Sequence, residues 1–439
     1  MYTFLAIIQL VLLFFIVRYF IKKFGMTFIV DQVKIMFILW TATLSLYNLQ
    51  ISNLYSPTLQ INLIVLFICA TFFILSRYKF LEEVDIKYVF KEFQEEEEKE
   101  KYKIYSIISN IVFLIAVLLF AYNIHKHGLM ITQKNKIDKQ QIDHYAGYII
   151  YMLVLCAEIK YILFRNYKKI MDLALCIISV FVLGLTLNRG PIAFLFITIG
   201  LYEVFNFINI KEKLNKKQKY GIFGIFTVMI LGFIWFFGYV GNLRMEYVLE
   251  HVYHRTIWEH YGVSKFIPSG FLWVYIYLTS PLENVAFALA NESIVGYSFL
   301  GNLFYPFAKL GANLLGKGEE FKMWIMNQGA YTPYLEKKVG LNAMSFIPQS
   351  FQDLGIMGFI IYVAIFLFLG YISIKIFKNR KKFSSMGKIL IYTNITSMML
   401  WSVFDNSLKI TTLILNIFFV LMVELFMVIM KRRKENGTT

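Results

Sequence analysis

The 439 residues are 58% hydrophobic and only 16% charged, and Lys and Arg outnumber Asp and Glu by 44 to 28. Soluble domains average about 45–50% apolar residues even when glycine is counted, so this composition excludes a single water-exposed globule. A net charge of +16 would suggest nucleic-acid binding in a soluble protein. In a membrane protein the same excess usually marks the cytoplasmic loops, and the position of the charges along the chain distinguishes the two.

Apolar stretches long enough to cross a membrane recur along the whole chain. A helix needs about 20 apolar residues to cross ~30 Å of hydrocarbon, and eleven stretches reach about that length. They lie near residues 2–21, 31–50, 59–76, 104–123, 145–164, 170–187, 191–208, 220–240, 352–374, 387–404 and 411–430. We expect an all-α polytopic membrane protein with about 11 transmembrane helices: an N-terminal bundle of eight (1–240), a large outer loop (241–349) and three C-terminal helices (350–439).

Basic residues are concentrated in every second loop between these stretches. One set of loops holds 26 Lys and Arg side chains, and the short loops of the opposite set hold six. Because Lys and Arg are enriched on the cytoplasmic side, this asymmetry places the N-terminus outside and the C-terminus in the cytoplasm. No small-residue cleavage site follows the first stretch, so we expect it to remain as a helix. The excess of positive charge then reflects the orientation of the chain in the membrane, and no nucleic-acid partner is expected.

The other charged residues of the predicted bundle do not indicate a second functional site. The run Glu95–Glu98 falls in a cytoplasmic loop, where a solvated charge run is expected. The charges within or near the predicted helices form no continuous polar track, which argues against a proton- or ion-coupled carrier. These charges are Asp31, Lys34, Glu158, Lys160, Glu203 and Glu424.

The turn between the sixth and seventh predicted helices carries the most informative residues. Arg189 is the only charged residue within 173–202, and it lies at the predicted outer edge of the membrane, where a guanidinium is costly. Gly190 permits a tight turn and Pro191 suits the first position of the next helix, whose free N–H groups would face the same point as Arg189. This combination predicts an anion site, for phosphate especially. The alternative is an arginine that only anchors a helical hairpin.

The predicted outer loop contains two more arginines and half of the six histidines. Arg244 and Arg255 either supply further phosphate contacts or anchor the chain at the interface. A neutral histidine suits a general base outside the cell, so His251 and His254 are candidates, against a plain structural or surface role. Their spacing of three residues does not match the i, i+4 pair of metalloproteases, and we expect neither a metal nor a cofactor.

Two apolar stretches interrupt this loop. The first, 271–278, is too short to cross a bilayer and is interpreted as interfacial or re-entrant. The second, 295–315, is interrupted by glycine and proline. If both crossed, the number of transmembrane helices would be thirteen.

The loop ends in a polar motif at the predicted start of the ninth helix. Gln349 and Asp353 are four residues apart and would share one helical face. Asp353 is a candidate to accept a proton or to pair with an arginine, and capping the helix is the alternative. Gly355 and Gly358 follow three residues apart and would allow close contact between helices.

These motifs and their order resemble the Wzy-type polymerases, which join lipid-linked oligosaccharide repeat units into O-antigen or capsular polysaccharide. The resemblance rests on one large outer loop before the last helices and on NRGP at 188–191, GNLR at 241–244, VYIYLTSPLEN at 274–284 and SFIPQSFQDLGIMG at 345–358. The last motif is also similar to that of the related O-antigen ligases. That family relies on a histidine in this region, and 340–358 contains none, so the resemblance favours a polymerase.

The resemblance implies a GT-C-like helical bundle in the bacterial cytoplasmic membrane and a metal- and nucleotide-independent glycosyltransferase. Donor and acceptor would both be undecaprenyl-diphosphate-linked oligosaccharides at the outer leaflet, with a chain-length regulator and a flippase as further partners. Departure of the diphosphate builds negative charge that fixed arginines stabilise, while a base takes the acceptor proton. The expected catalytic residues are Arg189, Arg244, His254 and Asp353, and the expected substrate-binding residues are Asn188, Gly190, Arg255, Tyr277 and Gln349.

Two other classes of function stay open on the sequence. A flippase for the same lipid-linked unit would have related halves and a binding site near the midplane, whereas this chain has a single large outer loop and shows no internal repeat. A non-catalytic membrane scaffold would have no need of the isolated Arg189.

Overall fold

The computed structural model describes residues 1–76, 86–93, 95–129, 142, 144–210, 213–290, 298–327, 334–379 and 383–436. Within these ranges every regular element is a helix and no β-strand occurs, which confirms the all-α prediction. The helices are α1 (Tyr2–Phe24), α2 (Gln32–Asn48), α3 (Leu59–Leu75), α4 (Ile86–Glu92), α5 (Glu96–His127), α6 (His144–Tyr151), α7 (Leu153–Tyr167), α8 (Ile170–Leu185), α9 (Arg189–Ile210), α10 (Lys216–Val248), α11 (Ile257–Tyr261), α12 (Ser269–Ala290), α13 (Tyr305–Leu314), α14 (Gly318–Asn327), α15 (Tyr334–Val339), α16 (Ile347–Lys378), α17 (Ser385–Trp401) and α18 (Thr411–Asn436).

Each of the eleven predicted membrane spans coincides with helix, although the helices differ in length. Seven helical segments of the described chain are long and apolar enough to cross a membrane, which indicates a membrane protein. The other four predicted spans correspond to α2, α3, α8 and α17, which have 16 or 17 residues. At 1.5 Å per residue these reach about 24–26 Å, short of ~30 Å of hydrocarbon. The count of 11 crossings stays a prediction.

The helices also differ in how much protein covers them. Every residue from Ser385 to Leu400 in α17 is buried, because α2, α9, α16 and α18 all pack against this helix. α10 is the opposite case, with large apolar side chains such as Phe223 and Trp235 exposed. A helix surface of this kind is stable against lipid tails, which are as apolar as the side chains themselves. α17 is therefore the centre of the bundle and α10 lies at its edge.

Segments predicted to lie on the same side of the membrane contact one another. At the predicted outer end, the main-chain N–H of Asn53 donates to the carbonyl oxygen of Gly262 (3.1 Å). At the predicted inner end, the Tyr105 hydroxyl donates to Glu424 Oε1 (2.7 Å). These contacts fit the predicted alternation of loops. Which end faces the cytoplasm stays a prediction.

The acidic segment Glu95–Glu98 does not lie wholly in solvent. Glu98 is only 6% exposed, and its Oε2 accepts from the main-chain N–H of Ser385 (3.0 Å) at the start of α17. Beside it, Lys388 Nζ donates to Glu92 Oε2 (2.9 Å). Carboxylates at a helix start satisfy its free N–H groups and offset its positive dipole end, so the prediction of a solvated run is wrong for Glu98. We call the residues that meet here the inner polar cluster: Glu92, Glu98, Ser384, Ser385, Lys388 and Glu424.

The predicted outer loop packs largely as helix against the bundle. α10 continues eight residues past the predicted end of the eighth span, so Arg244 lies on a helix and not in a loop. The stretch 271–278 belongs to the 22-residue α12, which contacts α2, α3 and α10. The helix is longer than the predicted stretch, and its interfacial or re-entrant position stays a prediction. Of the stretch 295–315, residues 295–297 lie outside the described residues, and the described part contains the 10-residue α13.

The ninth predicted helix, α16, is kinked near its start. Leu354 (φ −149°, ψ 31°) and Gly355 (φ 60°, ψ −141°) are non-helical, and the positive φ at Gly355 is a conformation that favours glycine. A Cβ added to Gly358 would lie 2.1 Å from the carbonyl oxygen of Ser350. These two glycines therefore shape a kink within one helix, instead of the predicted close contact between helices.

Candidate functional site

The turn that precedes α9 is built by local hydrogen bonds. Leu187 adopts a positive φ of 50°, and the main-chain N–H of Asn188 donates to Thr186 Oγ1 (3.3 Å). The side-chain Oδ1 of Asn188 accepts from the main-chain N–H of Gly190 (3.3 Å), as is typical of a residue that caps a helix. This N–H is therefore occupied, in contrast to the prediction that it would face an anion. The group of this turn that could still bind an anion is the guanidinium of Arg189, the first residue of α9.

Aromatic side chains from α10 and α12 enclose Arg189, which is 6% exposed. Its Cζ lies 4.3 Å from the ring centroid of Tyr277 and 4.5 Å from that of Trp273. The ring of Phe237 is 4.9 Å away, and Nη2 donates to the Tyr277 hydroxyl. The space for the guanidinium exists because Gly241 lacks a side chain: an added Cβ would lie 2.7 Å from Arg189 Nη1. We call these four residues around Arg189 the aromatic cage.

A second arginine lies beside the first. Arg244 follows Gly241 by three residues on α10, and residues at this spacing share one helical face. Its charge is close enough to interact electrostatically with Arg189, Tyr151 and Tyr261. The structure therefore brings the two charges near each other, and their membership of one site stays a prediction.

Neither arginine is fully satisfied by protein groups. Nε and Nη1 of Arg189 and Nε of Arg244 are buried without a hydrogen-bond acceptor. Among the described residues no carboxylate forms an ion pair with either side chain. Buried polar groups are normally hydrogen-bonded, and taking a charge out of water costs several kcal/mol. Desolvated cation–π contacts offset about 2 kcal/mol of this cost. They supply no hydrogen-bond acceptor for these N–H groups. The arrangement is therefore suited to binding an anion.

A cavity of about 290 Å³ adjoins the same turn, and we call it the outer cavity. Asn188 and Gly190, both predicted to bind substrate, line it, and the side-chain Nδ2 of Asn188 donates to the hydroxyl of Tyr151 (3.2 Å) on its wall. Trp401 and Asp405 close it from the end of α17 and the loop that follows. The structure therefore divides the 188–191 turn between two spaces, since the Arg189 side chain points into the aromatic cage while its neighbours line the cavity.

Asp353 is completely buried and accepts hydrogen bonds from several donors. These are the main-chain N–H groups of Asn302 (3.0 Å) and Leu303 (3.1 Å), Asn302 Nδ2 (2.9 Å), the Tyr362 hydroxyl (2.8 Å) and the Ser298 hydroxyl. The carboxylate thus ties 298–303 to the start of α16. These contacts give Asp353 a structural role, and its role as a base stays a prediction.

The other predicted site residues have no contact with the arginine pair among the described residues. His254 is exposed and has a positive φ of 48° after the π-helical turn Leu249–Tyr253. Arg255 is exposed and lines a different hollow, of about 510 Å³, together with Glu246 and Glu250. Gln349 is half-buried, and its Oε1 has no partner. Their predicted roles are therefore not supported by proximity.

Several residues of the site carry no distinctive signal in the sequence. Phe237 and Trp273 belong to the cage, but aromatic residues make up 18% of the whole chain, so their presence in a helix indicates nothing. Asn416 and Trp401 of the cavity lie within predicted spans. Asp405 is different, because it is the only acidic residue between the last two predicted helices, and this isolation was a usable signal.

Comparison of the chain with protein-family models, with curated proteins and with solved structures found no match. The resemblance to Wzy-type polymerases therefore rests on the short motifs and the predicted outer loop, and function has to be inferred from the geometry of the site.

Proposed function

We propose that the protein polymerises undecaprenyl-diphosphate-linked oligosaccharide repeat units into O-antigen or capsular polysaccharide, at the outer face of the bacterial cytoplasmic membrane. The observation that carries this proposal is the adjacent pair of Arg189 and Arg244, whose buried N–H groups lack acceptors. A diphosphate supplies both the negative charge and the acceptor oxygens that such a pair requires, and the planar fork of arginine matches phosphate oxygens bidentately.

The depth of the arginine pair also fits a lipid-linked diphosphate. Arg189 begins one candidate membrane span, and Arg244 lies near the end of another, Lys216–Tyr253. A polyprenyl diphosphate has its hydrocarbon chain in the bilayer and its charged group at the membrane surface. Cations at the end of apolar helices lie at the depth where that group is found.

The proposed reaction is a glycosyl transfer with a diphosphate leaving group. A hydroxyl of the acceptor attacks the anomeric carbon of the donor sugar, and the bond from that carbon to the diphosphate oxygen breaks. The diphosphate leaves with the bonding electrons, and a base takes the proton of the hydroxyl. Fixed guanidinium groups in a water-poor cage stabilise the growing negative charge, and removing one comparable donor costs about 10²–10³-fold in rate. His254 and Asp353 stay predictions for the base.

Polymerisation by the purified protein tests this proposal. The protein is placed in lipid nanodiscs with isolated undecaprenyl-diphosphate-linked repeat unit, and product length is measured by gel electrophoresis. We expect a ladder of products from the wild type and a rate about 10²–10³-fold lower from Arg189→Ala. Arg189→Lys should fall between them, because it keeps the charge and loses the bidentate fork.

A matched control uses an arginine that the protein itself pairs. Arg165 binds Glu203 through Nε (2.6 Å) and Nη2 (2.9 Å) at the predicted inner end. Arg165→Ala should keep the polymerisation rate per folded molecule. Full-length polymer from both Arg189 variants would contradict the anion-site assignment.

Deleting the gene separates the proposed activity from the alternatives. A polymerase leaves single repeat units on the outer leaflet or cell surface, whereas a flippase leaves them on the inner leaflet. Loss of a ligase leaves polymer on its lipid carrier, and loss of a scaffold leaves chain length intact.

A further inference from the structure

The outer cavity has apolar walls with a few polar side chains among them, and the phosphate chemistry above does not use it. It lies where α6, α7, α9, α17 and α18 meet at the predicted outer end. Its volume of about 290 Å³ is at the lower end of ligand pockets, which run from about 300 to 1,000 Å³. A cavity of this size holds a single sugar residue and not a complete oligosaccharide.

Asn416 gives the cavity an unmet requirement for hydrogen bonds. Its side chain lines the cavity and is completely buried, and neither its Nδ2 nor its Oδ1 has a partner. Leaving both atoms unsatisfied costs free energy, which a bound molecule can return. A sugar hydroxyl is both a donor and an acceptor, so two hydroxyls can satisfy the two amide atoms.

Trp401 and Asp405 supply the other two features of a sugar site. The Trp401 ring is held by Phe194, with ring centroids 4.6 Å apart, and by Phe404, at 5.0 Å. An aromatic face on a cavity wall packs well against the C–H face of a sugar ring, because both are apolar. Asp405 is the carboxylate among the described lining residues. Its Oδ1 accepts from the main-chain N–H of Asn406 (2.7 Å).

We propose that the outer cavity binds the terminal sugar of the acceptor, with Asn416 bonding its hydroxyls, Trp401 packing on its ring and Asp405 taking the proton of the attacking hydroxyl. This inference rests on the proposed function. The 188–191 turn lies between the cavity and the arginine pair, so an acceptor in the cavity is adjacent to a donor held by its diphosphate. The hydroxyl oxygen bonds to the anomeric carbon as the diphosphate departs with its electron pair. Asp405 receives the proton and later releases it to water.

Three cavity variants and one control test the assignment. Asn416→Leu, Trp401→Leu and Asp405→Asn each remove one proposed interaction, and Trp235→Leu changes an exposed tryptophan on α10. Asn416→Leu keeps the side-chain volume and removes an unsatisfied amide, so it should fold at least as stably as the wild type. Two quantities are measured in nanodiscs: binding of undecaprenyl diphosphate without sugar, and polymerisation of the isolated lipid-linked repeat unit.

We expect all four variants to bind undecaprenyl diphosphate as the wild type does. Asn416→Leu and Trp401→Leu should raise KM for the repeat unit about tenfold or more, as expected for one lost interaction with substrate. Asp405→Asn should lower kcat about 10²–10⁴-fold, the usual contribution of a general base, and should remove the acid limb of the pH–rate profile. Trp235→Leu should leave both quantities unchanged.

The outcomes separate the acceptor site from the proposed function. Wild-type kinetics in Asn416→Leu and Trp401→Leu overturn the acceptor site and leave the polymerase proposal intact. Loss of undecaprenyl diphosphate binding in these variants also overturns it, since the cavity is then not a separate site. A wild type that neither binds undecaprenyl diphosphate nor polymerises refutes the proposed function, and the acceptor site with it.

Discussion

Lys388 at the predicted inner end and Arg189 at the predicted outer end are both buried cations, but they have very different partners. Lys388 is 1% exposed and donates to Glu92 (2.9 Å) within the inner polar cluster. Arg189 is 6% exposed, and its neighbours are aromatic rings, a glycine and a second arginine. The first cation is neutralised by the protein, whereas the second is surrounded by groups that accept only one of its hydrogen bonds, through the Tyr277 hydroxyl, and leave Nε and Nη1 without an acceptor.

This difference shows how buried charge alone fails to mark a functional site. A charge that the protein neutralises, such as Lys388, or surrounds with hydrogen-bond donors, such as Asp353, holds segments of the chain together. An unpaired one persists only if the rest of the fold offsets its desolvation, which makes it the better candidate for binding. The comparison can be tested at both ends of the bundle.

The largest effect is expected when the inner pair is broken. Lys388→Met leaves Glu92 buried without its cation, and breaking a buried pair costs about 3–5 kcal/mol. We expect a lower midpoint of thermal unfolding in detergent with an unchanged polymerisation rate per folded molecule. Lys216→Met, at an exposed lysine, is the control and should leave the midpoint unchanged. A large loss of rate in folded Lys388→Met protein would mean that the inner cluster takes part in the reaction.

A methyl group added to the aromatic cage should lower the rate per folded molecule, in addition to the loss of stability that overpacking causes. In Gly241→Ala the new Cβ would lie 2.4 Å from Trp273 and 2.7 Å from Arg189 Nη1, so the guanidinium must move. A displacement near 1 Å in a catalytic site costs on the order of 10²-fold in rate. The matched control on the same helix is Gly232→Ala, where an added Cβ meets nothing within 4 Å. Equal rates from both variants would show that the position of Arg189 does not matter.

Asp353→Asn should act on stability. The carboxylate accepts hydrogen bonds from Ser298, Asn302, Leu303 and Tyr362. In the variant, the NH₂ group of the new amide faces at least one of these donors, and two donors cannot form a hydrogen bond. We expect a loss of about 1–3 kcal/mol in the free energy of unfolding, with the rate per folded molecule retained. Asp405→Asn is the matched variant, for which we expect a lower rate per folded molecule and an unchanged free energy of unfolding. A loss of rate in Asp353→Asn without loss of stability would restore Asp353 as the base.

The smallest effect concerns pH and the outer loop. Burial lowers the pKa of His260 below its ordinary value of 6.5, and the ring bonds to the carbonyl oxygen of Val339 (3.3 Å). The unfolded chain then binds a proton at higher pH than the folded one. The contribution of neutral His260 to the free energy of unfolding is therefore complete above pH 6.5 and is lost as the pH falls. Thermal unfolding in detergent should show a midpoint that decreases on acidification, and less so in His260→Phe. His251→Phe, at an exposed ring, should not alter this pH dependence.

The positions of the long helices and the isolation of Arg189 could be predicted from local features. Hydropathy identifies apolar helices because a span must be apolar over its own length, whatever it packs against. A single arginine within 173–202 is conspicuous for the same reason. Asp405 is isolated in the same way, but it was not among the predicted site residues. The kink at Gly355 was not predicted from the glycine pair, because the close approach of Gly358 to Ser350 appears only in the folded chain.

The composition and order of the chain were sufficient to establish a helical membrane protein with one isolated arginine at a turn. Only the tertiary structure decided which charges are neutralised, because partners are brought together from distant parts of the chain. Arg189 and Tyr277 are 88 residues apart, and Ser385 and Glu98 are 287 apart. No local pattern states that Glu98 caps the start of α17 while Nε and Nη1 of Arg189 stay without an acceptor. That distinction depends on which helices pack together, and it underlies the function proposed for the arginine pair.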